Sequence, residues 1–212
     1  MQIDQKKLAL QYQNKVNNAQ GHSFEGYIKA GCVFYDQRGL ATVDKTPEPF
    51  RVLKKLGNGI FNGRFTARAQ PDFQGTLAGG RSIVFEAKYT TTDRMTRETV
   101  TDEQQKALAQ HAERGALSAV CVGIRNDFFF VPWEVWRDMK KLIGRKYVTA
   151  ADLEAFRVRF NGAVLFLDFT HEAGRRWIHG NPNTKEWRFG GNGTEQEADA
   201  EIDGPGHTAD GV

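Results

Sequence analysis

Cysteine is scarce: the 212-residue chain has only Cys32 and Cys121. They lie far apart, form no Cys-x-x-Cys pair and sit in apolar contexts, so two buried thiols in a reducing compartment are expected rather than a disulfide or a zinc site. The five histidines are scattered, and His111, among charged neighbours near a helix end, reads as a surface residue. Long apolar runs are missing as well. No stretch approaches membrane-spanning length and the opening MQIDQKKLALQYQNK has no apolar core, which argues against a spanning helix or a signal peptide and leads us to expect a soluble, cytoplasmic protein with no membrane partner. Charge of one sign is absent in two places. Beyond Arg188 there is no basic residue but six acids, and between Phe50 and Gln70 there is no acid at all. The formal charge is only +3, yet without those six acids the body has 29 basic against 20 acidic residues. A basic body with an acidic tail suits a polyanionic partner, as it also suits plain solubility.

What is present centres on Gln70 to Thr90, QPDFQGTLAGGRSIVFEAKYT. Arg81 to Tyr89 is rich in β-branched and aromatic residues and follows a Gly79-Gly80 turn signal, so it reads as the second strand of a hairpin. Alternation along a strand puts Glu86 and Lys88 on one face and Ala87 on the other. Asp72, at the entry to the preceding strand, reaches the same spot across the hairpin. Two carboxylates suit Mg²⁺, which keeps several waters and completes its shell from substrate phosphate, and a nearby ammonium can orient water or contact that phosphate. Alternating charge is also what the solvated face of any strand looks like, so the rest of the chain must decide.

Residues 1 to 20 are polar and weakly periodic, and read as a loose arm or frayed helix. Phe24, Tyr27, Ile28, Cys32 and Tyr35 recur at helical spacing, with Ser23 as the N-cap, Glu25 in the first turn and Gly39 as the stop. Leu40 to Asp44 is a short strand, after which Pro47 and Pro49 break regular structure. Arg51, Lys54, Lys55, Arg64 and Arg68 then interleave with Phe61 and Phe65 around Gly57-Asn58-Gly59. Such a projecting hairpin or loop either grips phosphates and wedges a base step, or buries its phenylalanines and solvates its charges. Thr90 to Val100, carrying Arg94 and Arg97, reads as a mobile loop beside the site. Thr101 opens a helix that Gly115 ends; Gln104 stands at the capping-box spacing, where a bond to the Thr101 backbone competes with a role at the site. Ala116 to Ile124 is apolar throughout, as in a strand buried on both faces. Phe128 to Val131 reads as a strand, Pro132 as the first residue of a helix whose Trp133, Val135, Trp136 and Met139 face the core, Thr149 to Arg157 as a short helix and Val164 to Phe169 as a last edge strand. From Gly190 the chain has too little apolar surface to offset its ordering entropy.

This α-β-β-β-α-β order resembles the PD-(D/E)xK nuclease superfamily, through Pro71-Asp72 and Glu86-Ala87-Lys88. It is similar in particular to the RecU-type Holliday junction resolvases, in His22-Ser-Phe-Glu25, Lys45-Thr-Pro47, Phe65, Asp72-Phe-Gln-Gly75, Phe85-Glu-Ala-Lys-Tyr-Thr90, and Gln104 with Leu108. Pro71 in place of threonine and a lysine-poor loop after Lys88 mark a divergent member, such as a phage or prophage would carry. The resemblance implies an α/β, restriction-endonuclease-like core over residues 21 to 169, with a stalk at 46 to 69 inserted; outside it lie an arm at 1 to 20 and an extension at 170 to 212, whose acidic tail is marked by its composition as disordered from about 190. It implies that Asp72 and Glu86 bind Mg²⁺, with Mn²⁺ as a substitute, that Glu25 adds to the metal shell, that Lys88 is catalytic and that Gln104 supports the site. It further implies a homodimer that holds four-way DNA junctions through Arg51, Lys54, Lys55, Arg64, Phe65, Arg68, Arg94 and Arg97 and resolves them by paired nicks, alongside a recombinase or branch-migration helicase. Two alternatives remain: the same fold cutting other branched or linear DNA, and a non-catalytic junction-binding protein.

Overall fold

A computed structural model describes residues 5–47, 50–65 and 70–179. The acidic tail and Arg68 lie outside the described residues, as do the side chains of Arg51, Arg64 and Phe65.

The first element, α1 (Gln5–Asp36), is longer than expected. It runs straight through Ser23, which is therefore an interior helical residue and not a cap. Residues 5 to 22 contain no proline and a single glycine, so nothing in the backbone chemistry stops the helix earlier. The helix ends at the expected place, where Leu40 N–H returns to the Tyr35 carbonyl at 3.0 Å.

After β1 (Ala41–Lys45), β2 (Phe50–Gly57) and β3 (Ile60–Phe65) form a hairpin that pairs with no other strand among the described residues. Gly57, Asn58 and Gly59 are its turn, all at positive φ, a region that glycine and asparagine enter at least cost. Next come β4 (Phe73–Leu77), β5 (Ser82–Thr90), β6 (Arg94–Thr96), a 3-10 turn at Arg97–Thr99, and α2 (Asp102–Glu113). The chain continues through β7 (Leu117–Ile124), β8 (Asp127–Pro132), α3 (Trp133–Arg137), α4 (Met139–Ile143) and β9 (Tyr147–Thr149). It closes with a 3-10 helix at Ala151–Phe156, β10 (Val158–Phe160), β11 (Val164–Phe169) and α5 (Glu172–His179).

A five-stranded mixed sheet in the order β1-β4-β5-β7-β8 forms the centre of this α/β fold. Only β5 and β7 run parallel, joined by the α2 crossover, as a parallel pair requires. All eight residues of β7 are buried, as its largely apolar sequence suggests, and the hydroxyl of the one polar residue, Ser118, donates to the Leu108 carbonyl at 2.9 Å. On one face lie α1 and the β10–β11 ribbon: Phe24 packs on Tyr89 and Phe128, and Phe166 meets Tyr35, Phe85 and Phe130. The other face is covered by α2 and α3, with Leu108 and Trp136 fully buried. Cys32 and Cys121 are free and buried, and burial pushes the Cys32 thiol up to about 12, where it is inert. At Gly75 the β1 backbone is so close that a Cβ would lie 2.0 Å from the Thr42 carbonyl oxygen.

Three readings change. β11 is not an edge of the main sheet but pairs with β10 over it. The helix begun after Pro132 breaks at Asp138 into α3 and α4, and α5 occupies sequence read only as glycine-rich extension. Its Trp177 packs against Phe130 and Phe169. Among the described residues no helix is long and apolar enough to cross a membrane.

Candidate functional site

Hairpin register places the site. Phe73 pairs with Phe85, and their rings stack with centroids 5.0 Å apart, which turns the odd-numbered side chains of β5 toward α1. Val84, Glu86 and Lys88 consequently face α2. Because β5 is flanked by β4 and β7 and covered by α2, Glu86 is 0 % exposed. Lys88 Nζ sits 3.3 Å from Glu86 Oε2 and 4.0 Å from Asp72 Oδ2. Asp72 immediately precedes β4, and its Oδ2 accepts the Ala87 backbone N–H at 2.9 Å. The carboxylate thus receives a ladder donor of β5 just where β4's own pairing ends.

Gln104 does both things that seemed to compete. Its Oε1 accepts the Thr101 backbone N–H at 3.0 Å, closing a capping box with the Thr101 hydroxyl. That contact fixes which end of the amide is oxygen, since the Thr101 partner is a donor. The Nε2 is left to donate to Glu86 Oε2 at 2.6 Å. The cap of α2 therefore aims a hydrogen-bond donor into the carboxylate cluster.

Electrostatically the site is short of positive charge. Burial, and then the neighbouring Asp72 carboxylate, push the Glu86 carboxyl up to about 8, with Lys88 opposing the rise only in part. Glu86 Oε1 is buried with no hydrogen-bond partner among the described residues. A buried acceptor left open between two carboxylates is the donor set a hard divalent cation fits, with oxygen ligands only and room for the rest from water and substrate.

Glu25 is not brought into this cluster. It lies beside Phe24 on the α1 side of the sheet, whereas Glu86 faces α2, and it pairs with Lys45 Nζ. Among the described residues no group of three His, Cys, Asp or Glu side chains converges as a metal cage. The Lys45 pairing carried no signal beyond the Lys45-Thr46-Pro47 motif. Thr46 also supports the site: its N–H bonds the Asp72 carbonyl at 2.9 Å, and its buried hydroxyl has no partner among the described residues.

Of the expected DNA contacts, Lys54 and Lys55 are exposed on the β2–β3 hairpin, together with Leu53, Leu56, Ile60 and Phe61. The phenylalanine at 61 is thus not folded into a core. Arg94 and Arg97 do not lie in a free loop. β6 pairs with β9, Met95 and Val148 are buried beneath, and Arg97 Nε donates to the Arg137 carbonyl at 3.2 Å.

No curated protein matches the chain. Among solved structures it is similar to one described as Archaeoglobus fulgidus Hjc, a Holliday junction resolvase from an archaeal hyperthermophile, at a TM-score of 0.35 and 15% identity over 52% of this chain and 78% of that one. At that TM-score the likeness carries no argument. The family model described as Recombination protein U matches residues 19–171, a span that contains Asp72, Glu86, Lys88 and Gln104, and the chain belongs to the RecU family.

Proposed function

We propose that this protein is a metal-dependent endonuclease that resolves four-way DNA junctions by paired nicks, acting as a homodimer that presents one site to each of two strands. The observation that carries the reading is the buried Glu86, set between Asp72 and Lys88 with one carboxylate oxygen open. Membership of the RecU family supports a role in recombination. Asp72 and Glu86 would hold Mg²⁺, with the Ala87 carbonyl as a further oxygen. When bound, such an ion neutralises charge building on a phosphate and makes water a better nucleophile.

The chain's own groups account for the remaining steps. Gln104 fixes the Glu86 carboxylate in one rotamer, and Asp72 is fixed by the Ala87 N–H, so neither must be ordered when substrate arrives. Lys88 holds its ammonium beside both and is placed to receive the scissile phosphate or to orient the attacking water. Lys54 and Lys55 on the hairpin would hold phosphates near the crossover.

The test is a panel of four-way junctions, flaps and linear duplex incubated with wild type and Lys88→Ala in Mg²⁺ and Mn²⁺. We expect symmetric nicks in the four-way junction, and a loss on the order of 10²-fold or more in rate for Lys88→Ala with binding retained. Equal cutting of linear and branched DNA would remove the junction assignment. No cleavage in any divalent cation would remove the enzyme assignment.

A further inference from the structure

The β6–β9 ribbon and α4 make a second cationic surface, separate from the hairpin. Residues 94–100 and 137–152 carry seven cations, Arg94, Arg97, Arg137, Lys140, Lys141, Arg145 and Lys146, against three acids. Each acid is already engaged: Asp138 with Arg137 at 2.7 Å, Asp152 with Arg145 at 2.5 Å, and Glu98 with Lys146 at 3.6 Å. Arg94, Lys140 and Lys141 are exposed and have no carboxylate within 4 Å among the described residues. Positive charge in excess of its local partners calls for an external anion.

The ribbon presents this charge on a fixed frame. Met95 pairs with Val148 and both are buried, so the alternate residues Arg94, Tyr147 and Thr149 turn outward. Arg94 and Arg145 both pack on the Tyr147 ring, with guanidinium carbons 5.3 and 4.8 Å from its centroid. Two further bonds hold the turn after β6, from Arg97 N–H to the Lys146 carbonyl at 2.9 Å and from Trp136 Nε1 to the Arg97 carbonyl at 3.3 Å. Arg137, Lys140 and Lys141, with Asp138, line an open depression of ≈ 400 Å³ on α3 and α4.

Its position along the chain links it to the chemistry. The segment that forms β6 and the following turn starts six residues after Lys88 and reaches Gln104 through the Thr101 cap. Its near end continues from β5, and its far end joins the carboxylate cluster through the bond from Gln104 to Glu86. Resting on the endonuclease reading above, we propose that the β6–β9 ribbon and α4 form a phosphate-binding surface that holds the backbone of a duplex arm as it leads into the site. The contact proposed is with phosphate and independent of sequence, made by exposed lysines and by arginines that pack on the Tyr147 ring.

The experiment measures binding of a four-way junction in metal-free buffer by wild type, Lys140→Ala/Lys141→Ala and a double charge change on the other layer, Lys29→Ala/Arg159→Ala. Each is titrated over a range of salt, with arms either short or extended. The Lys140→Ala/Lys141→Ala variant of α4 is expected to bind about tenfold more weakly at physiological salt, and the slope of log affinity against log salt should fall by about 2 for its two lost phosphate contacts. That loss should be larger for extended arms, and unchanged thermal melting would show that folding is intact. Equal losses in both double variants, or none in the α4 variant, would overturn the proposal while leaving the endonuclease reading in place. A wild type that neither binds nor cuts branched DNA would overturn both.

Discussion

Gln104→Glu separates the two jobs of one side chain. A glutamate at this position keeps the capping box, which accepts Glu as readily as Gln, and an acid in the first turn of α2 is favoured by the helix dipole. On α2 alone the substitution is close to neutral. What changes is the 2.6 Å bond from Nε2 to Glu86 Oε2, where a donor is replaced by a second carboxylate. Losing a hydrogen bond to a buried acid costs about 1–3 kcal/mol. Opposed charges of like sign near 4 Å add up to roughly 4 kcal/mol at an effective dielectric constant of 20. A shared proton relieves most of that repulsion at low pH, because Glu86 is held protonated up to about 8. We expect metal-free Gln104→Glu to be less stable than wild type by about 1 kcal/mol at pH 6, rising to on the order of 3 kcal/mol at pH 9. In a chain of this size the larger value lowers Tm by roughly 5–10 °C. Urea unfolding at the two pH values in EDTA gives the answer. Thr101→Ala is the control: it weakens the cap by about 1 kcal/mol at both pH values without touching Glu86. Equal stability of Gln104→Glu and wild type at pH 9 would show that the Glu86 contact carries no energy. A pH-independent loss like that of Thr101→Ala would assign the whole effect to the cap.

Glu86 itself should give stability a pH dependence. Its carboxyl is raised to about 8 in the folded chain, so the stabilisation is complete below the unfolded value near 4.5 and is lost as pH rises to about 8. With one proton involved, the slope approaches ~1.4 kcal/mol per pH unit; Glu86→Gln should abolish it, and coincident urea midpoints for the two proteins across pH 5 to 9 would rule it out. Gly75→Ala should destabilise by more than ~2 kcal/mol, because the new Cβ meets the Thr42 carbonyl and Val43 Cα, neither of which can move without parting β1 from β4. Gly26→Ala, on an open stretch of α1 with no atom within 4 Å of its Cβ, should instead stabilise by up to ~1 kcal/mol, and thermal melts of the pair check both signs.

The candidate face was legible because strand alternation is a strict rule. Once Arg81 to Tyr89 reads as a strand, Glu86 and Lys88 must share a side, and the structure brings them within 3.3 Å. The buried β7 was equally plain from its eight apolar-context positions. Elements whose order comes from distant partners were not legible. β6 is three residues long in polar sequence, and only its pairing with β9, some fifty residues on, makes it a strand. α5 depends on Trp177 finding Phe130 and Phe169. Glu25 illustrates a different limit: helical spacing places it next to Phe24, but which sheet face the helix covers is decided by packing. Gln104 was read as a choice between two partners because a sequence lists positions, whereas an amide has two ends.

The bond from Asp72 to the Ala87 N–H also bears on how inactive relatives should be recognised. Asp72 closes the end of the β4–β5 pairing whether or not a metal ever binds, so a descendant that had lost catalysis would still be selected to keep it. Glu86 also takes the Gln104 bond, but it does so as a buried acid, held protonated up to about pH 8, with one oxygen left open among the described residues. If the proposed endonuclease reading holds, drift in a lineage freed from cutting DNA should therefore erase Glu86 before Asp72.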